Sequence, residues 1–313
     1  MIETQDLTKE FDDFLAVDRV NLHVGAGEVL AVLGPNGAGK TTTVRMMTSI
    51  LAPTRGYARI AGYDVVRDAA KVRASVGVLT EQHGLYERMK AMEYLDFFGE
   101  IYHLDKTARR THAHQLLKRF GLEEASGRRV GDYSKGMKQK LALVRALLHQ
   151  PPVLLLDEPT SAMDPQSAKQ VRDAIIDLQH ESRTFLITTH NLTEAQTLAN
   201  RIAIIRHGRI IAQGTLAELE QQMGAETRVE VRVNGSLKDV TKDLAELVSI
   251  CDSGEDWLQY STLNQTQDNP AILRKLIGLG VDVMSLTPIT RSLEDVYLKI
   301  MEEDEAVRPV DVR

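Results

Sequence analysis

Short apolar runs rich in Val, Ile and Leu recur between residues 30 and 214, separated by longer segments whose apolar positions return at helical spacing. This alternation predicts a parallel sheet covered by helices. The runs Val29–Leu33, Val76–Leu79, 153–156 and 185–189 are short and predominantly apolar, as expected of strands buried on both faces. Ahead of them, residues 2–7 and 17–24 predict an antiparallel edge, and 202–206 and 209–213 flank His207-Gly208 as the arms of a hairpin.

The pattern shifts near Glu218. Residues 219–226 are polar and predict a helix end and linker, whereas 227–233 alternate Val with Arg and Glu, the pattern of a half-exposed strand. Asn269 and Pro270 predict a helix start, with Asn as cap and Pro in the first turn, running to Gly278. Residues 281–286 predict a further strand, and Ser292 with Asp295 forms a capping-box-like pair opening a helix that carries Leu293, Val296, Tyr297 and Ile300. The expected organisation is a large α/β domain over residues 1–220, a small α+β domain over 221–301, and a disordered tail over 302–313, where Glu, Asp and Pro accumulate. There is no internal repeat.

With 43% hydrophobic residues in 313, there is material for a large core. Lys and Arg number 38 against 44 Asp and Glu, a net charge of −6, and only 5% of residues are aromatic. That balance disfavours general nucleic-acid binding, so no nucleic acid is expected as a partner. Cys251 is the only cysteine, which excludes an intrachain disulfide framework and a four-cysteine zinc site. Residues 1–10 have acidic side chains and no apolar core, unlike a secretory signal. The longest apolar runs fall far short of the ~18 residues that suggest a membrane span.

Gly34, Pro35, Asn36, Gly37, Ala38, Gly39, Lys40 and Thr41, followed by Thr42, fit the pattern of a glycine, four residues, then Gly-Lys-Ser/Thr. The run directly follows a predicted strand and precedes a predicted helix, the context of a phosphate-binding loop. Glycines let backbone N–H groups converge on a polyphosphate, Lys40 can reach the β and γ phosphates, and the Thr41 hydroxyl can bind Mg²⁺. Asp157 and Glu158 end a second apolar run. In phosphate-loop proteins an Asp so placed holds the metal, and an adjacent carboxylate can polarise the attacking water. Strand alternation would point the two side chains to opposite sides. His190 ends a third run, so a parallel sheet would bring Gly34, Asp157 and His190 to one rim. The other eight histidines are expected at the surface.

Between these strand ends lies Tyr133-Ser-Lys-Gly-Met-Lys-Gln-Lys140, which resembles the signature motif of ABC-type ATPases. The segment from Ser161 to Asp164 is similar to that family's D-loop, His190 to its switch histidine, and Phe11 to its adenine-stacking aromatic. The resemblance covers residues 1–220 and implies a P-loop ATPase domain with an antiparallel β edge and a helical subdomain, binding ATP and Mg²⁺. It further implies that Ser134 and Gly136 bind the γ-phosphate held by a second copy, so that two chains enclose two ATPs. Where the family usually has Leu-Pro-Gln, this chain has Leu79-Thr80-Glu81-Gln82, leaving Glu81 and Gln82 as alternatives for the metal-contacting Q-loop residue. Met137 replaces the usual signature glutamine. None of these departures touches Lys40, Asp157, Glu158 or His190, and an active ATPase is expected.

An ABC domain without a membrane span requires a separate permease to perform transport. Leu85, Tyr86, Met89, Met92, Tyr94, Phe97 and Phe98 concentrate apolar and aromatic side chains in the segment that, by resemblance, receives the permease. The same residues also suit a packed helical subdomain. The segment after Glu81 and the ending Ser292-Leu-Glu-Asp-Val-Tyr297 resemble ATPases of ABC-2-type exporters, a group that includes drug and polysaccharide exporters. The implied location is cytoplasmic, peripheral on the inner face of the cell membrane. The alternative is a soluble ABC ATPase acting on ribosomes or nucleic-acid complexes, against which the single motif set and the lack of sustained heptads argue.

Overall fold

The computed structural model describes residues 1–80, 84–161, 163–222, 227–237, 240–245, 247–262, 264–289 and 292–307. The chain divides into two compact units, Met1–Thr215 and Leu216–Arg313.

The first unit begins with β1 (Ile2–Phe11) and β2 (Phe14–Val24), after which β3 (Val29–Leu33) runs into α1 (Lys40–Met47). β4 (Arg55–Ile60) and β5 (Tyr63–Asp64) follow, and α2 (Ala69–Ser75) leads to β6 (Val76–Leu79). The helices α3 (Ala91–Ile101), α4 (Lys106–Arg119) and α5 (Lys135–Leu147) precede β7 (Val153–Asp157). Then come α6 (Pro165–Gln179), β8 (Thr184–Thr189), α7 (Leu192–Leu198) and the hairpin β9 (Arg201–Arg206) with β10 (Arg209–Gly214).

Two sheets result. An antiparallel sheet has the order β2-β1-β4-β5, and the central sheet has the order β10-β9-β3-β8-β7-β6. In the central sheet every pairing from β9 to β6 is parallel, with β10 added antiparallel at the edge. The near-continuous apolar strands follow from the two cores that sandwich them. Leu154 and Leu156 of β7 pack with α3, α4 and α5 in one core, whereas Val153 and Leu155 pack with α1 and the antiparallel sheet in the other. Successive strand side chains alternate faces, so a strand covered on both sides needs an apolar residue at every position. The turn at His207-Gly208 has both residues in the left-handed region (φ 47° and 77°), as a two-residue hairpin of matching twist requires.

The second unit contains α8 (Leu216–Gln222), β11 (Thr227–Asn234), α9 (Thr241–Leu244), β12 (Ser249–Ser253), β13 (Trp257–Thr262), α10 (Gln265–Gly278), β14 (Asp282–Ile289) and α11 (Leu293–Val307). Its antiparallel sheet has the order β12-β13-β11-β14. Val229, Val231 and Val233 of β11 pack with Ile272 and Leu276 of α10.

Several expectations need correction. Asn269 and Pro270 lie inside α10, which starts at Gln265. The Asn269 side chain accepts a hydrogen bond from the Tyr260 hydroxyl (2.7 Å) instead of capping a helix. Tertiary contacts thus outweigh the backbone hydrogen bond that Pro270 cannot make. Residues 302–307, expected to be disordered, continue α11, while 308–313 lie outside the described residues. Glu is a good helix former, and extending a helix costs no new nucleation. That helix is opened by Ser292 and Asp295, whose side chains bond reciprocally to each other's backbone N–H groups (3.2 Å each). His149, expected at the surface, has its Nδ1 sealed from solvent.

Candidate functional site

The carboxyl ends of β3, β7 and β8 meet at one edge because the strands are parallel neighbours, with Leu33 opposite Thr189 and Asp157 opposite Thr188. The loop after β3 turns back against this edge, and Gly34 N–H donates to Thr189 O (3.2 Å). A Cβ at Gly34 would stand 2.2 Å from the Ile205 carbonyl oxygen, so only glycine fits. Gly39, at φ 99°, caps α1 in a conformation that L side chains rarely adopt. The loop is braced from behind, since Gly208 N–H donates to Ala38 O (3.0 Å).

The loop lines a cavity of about 380 Å³. Residues 36–42 line it, and Glu158, Ser161, His190, Phe14 and Ala16 complete it. Lys40 is 6% exposed, and its Nζ lies 2.6 Å from Gly34 O, 3.1 Å from Pro35 O and 3.2 Å from Glu158 Oε1. The other Glu158 oxygen, Oε2, lies 2.8 Å from His190 Nδ1. A carboxylate only accepts hydrogen bonds, so Nδ1 carries the proton in this pair. The His190 side chain is half exposed.

Asp157 and Glu158 are separated by a turn and not by strand alternation. β7 ends at Asp157, and Glu158 follows in the left-handed region at φ 52°. A bulky non-glycine residue held there stores strain, a feature concentrated at functional sites. Its N–H is fixed by Thr188 O (2.9 Å). Asp157 is almost fully buried and accepts a hydrogen bond from the Thr188 hydroxyl.

Other expected site residues stand elsewhere. Phe11 is an exposed residue at the end of β1 with the Lys9 ammonium 4.9 Å from its ring centre, and it does not line the cavity. Its cross-strand neighbour Phe14 does. That placement was not read from the sequence, although a second Phe three positions on in an aromatic-poor chain was a usable signal. Ser134 caps α5 by accepting the Met137 N–H (3.2 Å), and Asp164 caps α6 by accepting the Ser167 N–H (2.9 Å). Bonds from the Ser167 side chain and backbone hold the Asp164 carboxyl below its ordinary pKa. A Cβ at Gly136 would meet Ser167 Oγ at 2.9 Å. None of Ser134, Gly136 and Asp164 lines the cavity. Glu81 and Gln82 lie outside the described residues.

A phosphate loop at the carboxyl edge of a parallel sheet, flanked by an antiparallel sheet and a helical layer, defines an ATP-binding cassette. The ABC transporter family matches residues 17–161. The daunorubicin resistance ATP-binding protein DrrA3 of Streptomyces coeruleorubidus is 35% identical over 302 residues, covering 96% of this chain and 95% of that one. The ABC transporter ATP-binding protein NatA of Bacillus subtilis is 40% identical over 231 residues, 72% of this chain and 94% of its own. A solved ATP-binding subunit of an ABC transporter, 30% identical, superposes with a TM-score of 0.67 over 72% of this chain and 93% of that one. A dimeric ATP-binding cassette in a post-hydrolysis state, bound to ADP and Pi, is 25% identical with a TM-score of 0.63 over 69% and 98%. The chain belongs to the ATP-binding proteins of the ABC transporter family and is an ATPase.

Proposed function

We propose that this chain is the ATP-hydrolysing subunit that powers export through a separate ABC-2-type membrane permease, working as a dimer that encloses two ATPs. The observation that carries the hydrolytic part is the strained Glu158, whose carboxylate stands between the Lys40 ammonium and the His190 imidazole at the phosphate loop. The exporter assignment is supported by relatives named for daunorubicin and doxorubicin resistance.

Residues 36–41 hold the phosphates through backbone N–H groups and the Lys40 ammonium, with the α1 N-terminus adding positive potential. Phe14 lines the cavity where the sequence resemblance would put Phe11, and it is the aromatic assigned to the base. A cation bound with a nucleotide takes one or two protein oxygens and completes its shell with phosphate and water. Thr41 at the cavity and Asp157 at the end of β7 offer that donor set and so fit Mg²⁺. Among the described residues, no three His, Cys, Asp or Glu side chains cluster to hold a metal unaided. When bound, such a cation would supply charge neutralisation at the phosphates.

Glu158 accepts a proton from the water that attacks the γ-phosphorus, the bond from phosphorus to the bridging oxygen breaks, and ADP and phosphate leave. His190 orients the carboxylate through Nδ1–H, and its Nε2, the acceptor in that tautomer, is left for a hydrogen of the attacking water. Ser134 and Gly136, away from this cavity at the N-terminus of α5, serve the nucleotide of the second copy.

None of the described helices is long and apolar enough to cross a membrane. Attachment to the inner face of the membrane therefore rests on the permease. Tyr94 is fully buried, whereas Tyr86 and Phe97 are exposed with ring centres 5.8 Å apart, and these two are the assigned contacts. The test is Glu158→Gln. Turnover should fall by about 100-fold or more while ATP binding persists and an ATP-dependent dimer accumulates. Unchanged hydrolysis removes Glu158 from the role of base.

A further inference from the structure

The residues that follow Glu158 are gripped by two buried polar side chains that the hydrolytic scheme does not use. Gln139 of α5 is 3% exposed, and its Nε2 donates to the Pro159 carbonyl (2.6 Å). Glu194 in the first turn of α7 is 1% exposed, and its Oε1 accepts from the Thr160 hydroxyl (2.7 Å). Glu194 is itself fixed, because its N–H donates to Asn191 Oδ1 (3.1 Å) and the Asn191 N–H donates to Thr189 Oγ1 (3.0 Å). The Pro159-Thr160 turn is thus tied on one side to the helix that begins at Ser134 and on the other to the turn that carries His190. Ser161 N–H closes it by donating to Glu158 O (3.2 Å).

This arrangement answers a physical need. Glu158 sits at φ 52°, which persists only if the surroundings over-determine it. A Pro159 carbonyl or Thr160 hydroxyl left unpaired at a buried position would keep its full desolvation penalty, so the two bonds are strong constraints on where the turn lies.

We propose that Gln139 and Glu194 are positioning residues that hold the Pro159-Thr160 turn, and through it the Glu158 carboxylate, and that Gln139 makes this position depend on α5. Ser134 and Gln139 are five residues apart on one helix, about 7–8 Å along its axis. A displacement of the anion-binding end of α5 is therefore carried rigidly to the carbonyl behind Glu158. In the dimer, engagement of one ATP by Ser134 would set the geometry of the base for the other. The inference rests on the reading of Glu158 as base.

Burial raises the Glu194 carboxyl above the ordinary carboxylate pKa, opposed in part by hydrogen bonds from Thr189 and Thr160. Glutamine matches the carboxyl in shape, and its Oε1 still accepts from the Thr160 hydroxyl.

The experiment compares full-length Gln139→Leu, Thr160→Val, Glu194→Gln and Glu194→Leu with the parent and with Glu158→Gln. Turnover, KM and the affinity for a fluorescent ATP analogue are measured on each. Gln139→Leu, Thr160→Val and Glu194→Leu should lose on the order of 10- to 100-fold in kcat, as small misplacements of catalytic groups do, with analogue affinity held within about twofold. Glu194→Gln should keep kcat within about threefold of the parent. Thr160→Val preserves shape and reads the Glu194 bond, and Gln139→Met keeps side-chain length without the donor, so these two decide the matter if Gln139→Leu does not fold. Loss of affinity in parallel with kcat, or failure of glutamine to rescue position 194, would reduce these residues to general supports and overturn the proposal. If Glu158→Gln abolishes turnover while Gln139→Leu and Thr160→Val keep it, only the positioning inference fails. If Glu158→Gln keeps turnover, the reading beneath it fails as well.

Discussion

His149 should make the nucleotide-binding unit acid-labile. Its ring stacks on Tyr102, with centres 3.8 Å apart and planes 6° from parallel. Nε2 lies 3.0 Å from the Val76 carbonyl oxygen, which can only accept, so Nε2 carries the proton. Nδ1 is buried with no hydrogen-bond partner among the described residues. A second proton would place a charge there without an acceptor, and burial, reinforced by the charge of Arg183 and partly opposed by the Val76 carbonyl, lowers the pKa from 6.5 to about 4. Below 6.5 the unfolded chain takes up a proton that the folded chain refuses. The contribution is therefore complete above pH 6.5 and is lost as pH falls toward 4. Its full size is about 3 kcal/mol, and about 2 kcal/mol is gone at pH 5.

The perturbation is His149→Phe, which keeps the stacked ring and removes the titrating nitrogen. It also removes the bond to Val76, at a pH-independent cost of about 1 kcal/mol. Urea unfolding is followed by circular dichroism at pH 7 and pH 5, using the transition that moves with saturating ATP, since only the nucleotide-binding unit responds to it. Between the two pH values the parent should lose about 2 kcal/mol more than His149→Phe. A difference in pH dependence below about 0.5 kcal/mol would refute the reasoning, because it would mean that the charged ring is accommodated.

Gly208→Ala should destabilise the unit by about 2 kcal/mol or more and weaken ATP binding about fivefold, from left-handed strain and loss of support for the phosphate loop. Gly208 has φ 77°, an added Cβ would stand 2.8 Å from Ala16 O, and its N–H holds Ala38 O, so unchanged urea midpoint and affinity would contradict the bracing role. Lys40→Ala should lower ATP affinity by about 10-fold or more by removing a charge-assisted bond, and retained affinity in a fluorescence titration would count against the phosphate assignment. Phe14→Ala should weaken nucleotide binding about fivefold or more through lost base stacking. Phe11→Ala should have less effect, and the reverse order would restore Phe11 as the base contact.

The legible parts of the site were those that depend on neighbours in sequence. Gly34 through Thr41 were readable because a loop that converges its own backbone on phosphate needs glycine and lysine at fixed spacing. The ends of β7 and β8 were readable because strands buried on both faces are apolar until they reach the edge. Illegible were the choices made by distant contacts. Asn269-Pro270 looked like a helix start, yet Tyr260 from another element fixes Asn269 inside α10. β12 and β13 carry a weak sequence signal because Ser249–Ser253 holds one aliphatic residue, Ile250, and the buried face of Trp257–Thr262 consists of Leu258, Tyr260 and the polar Thr262. Among eight histidines expected at the surface, nothing local distinguished His149, whose burial depends on Tyr102 and Val76.

The sequence by itself determined the α/β class, the phosphate loop, the order of the strand-end residues and the resemblance to ABC-type ATPases, because periodicity and motif spacing are local properties of the chain. Only the tertiary structure decided that Phe14 and not Phe11 lines the cavity, and that Glu158 leaves its strand in a left-handed turn between Lys40 and His190. It alone showed that Gln139 and Glu194, more than fifty residues apart in sequence, grip the turn behind that carboxylate. Such convergence is fixed by strand order and helix packing, which bring together side chains that no local pattern connects.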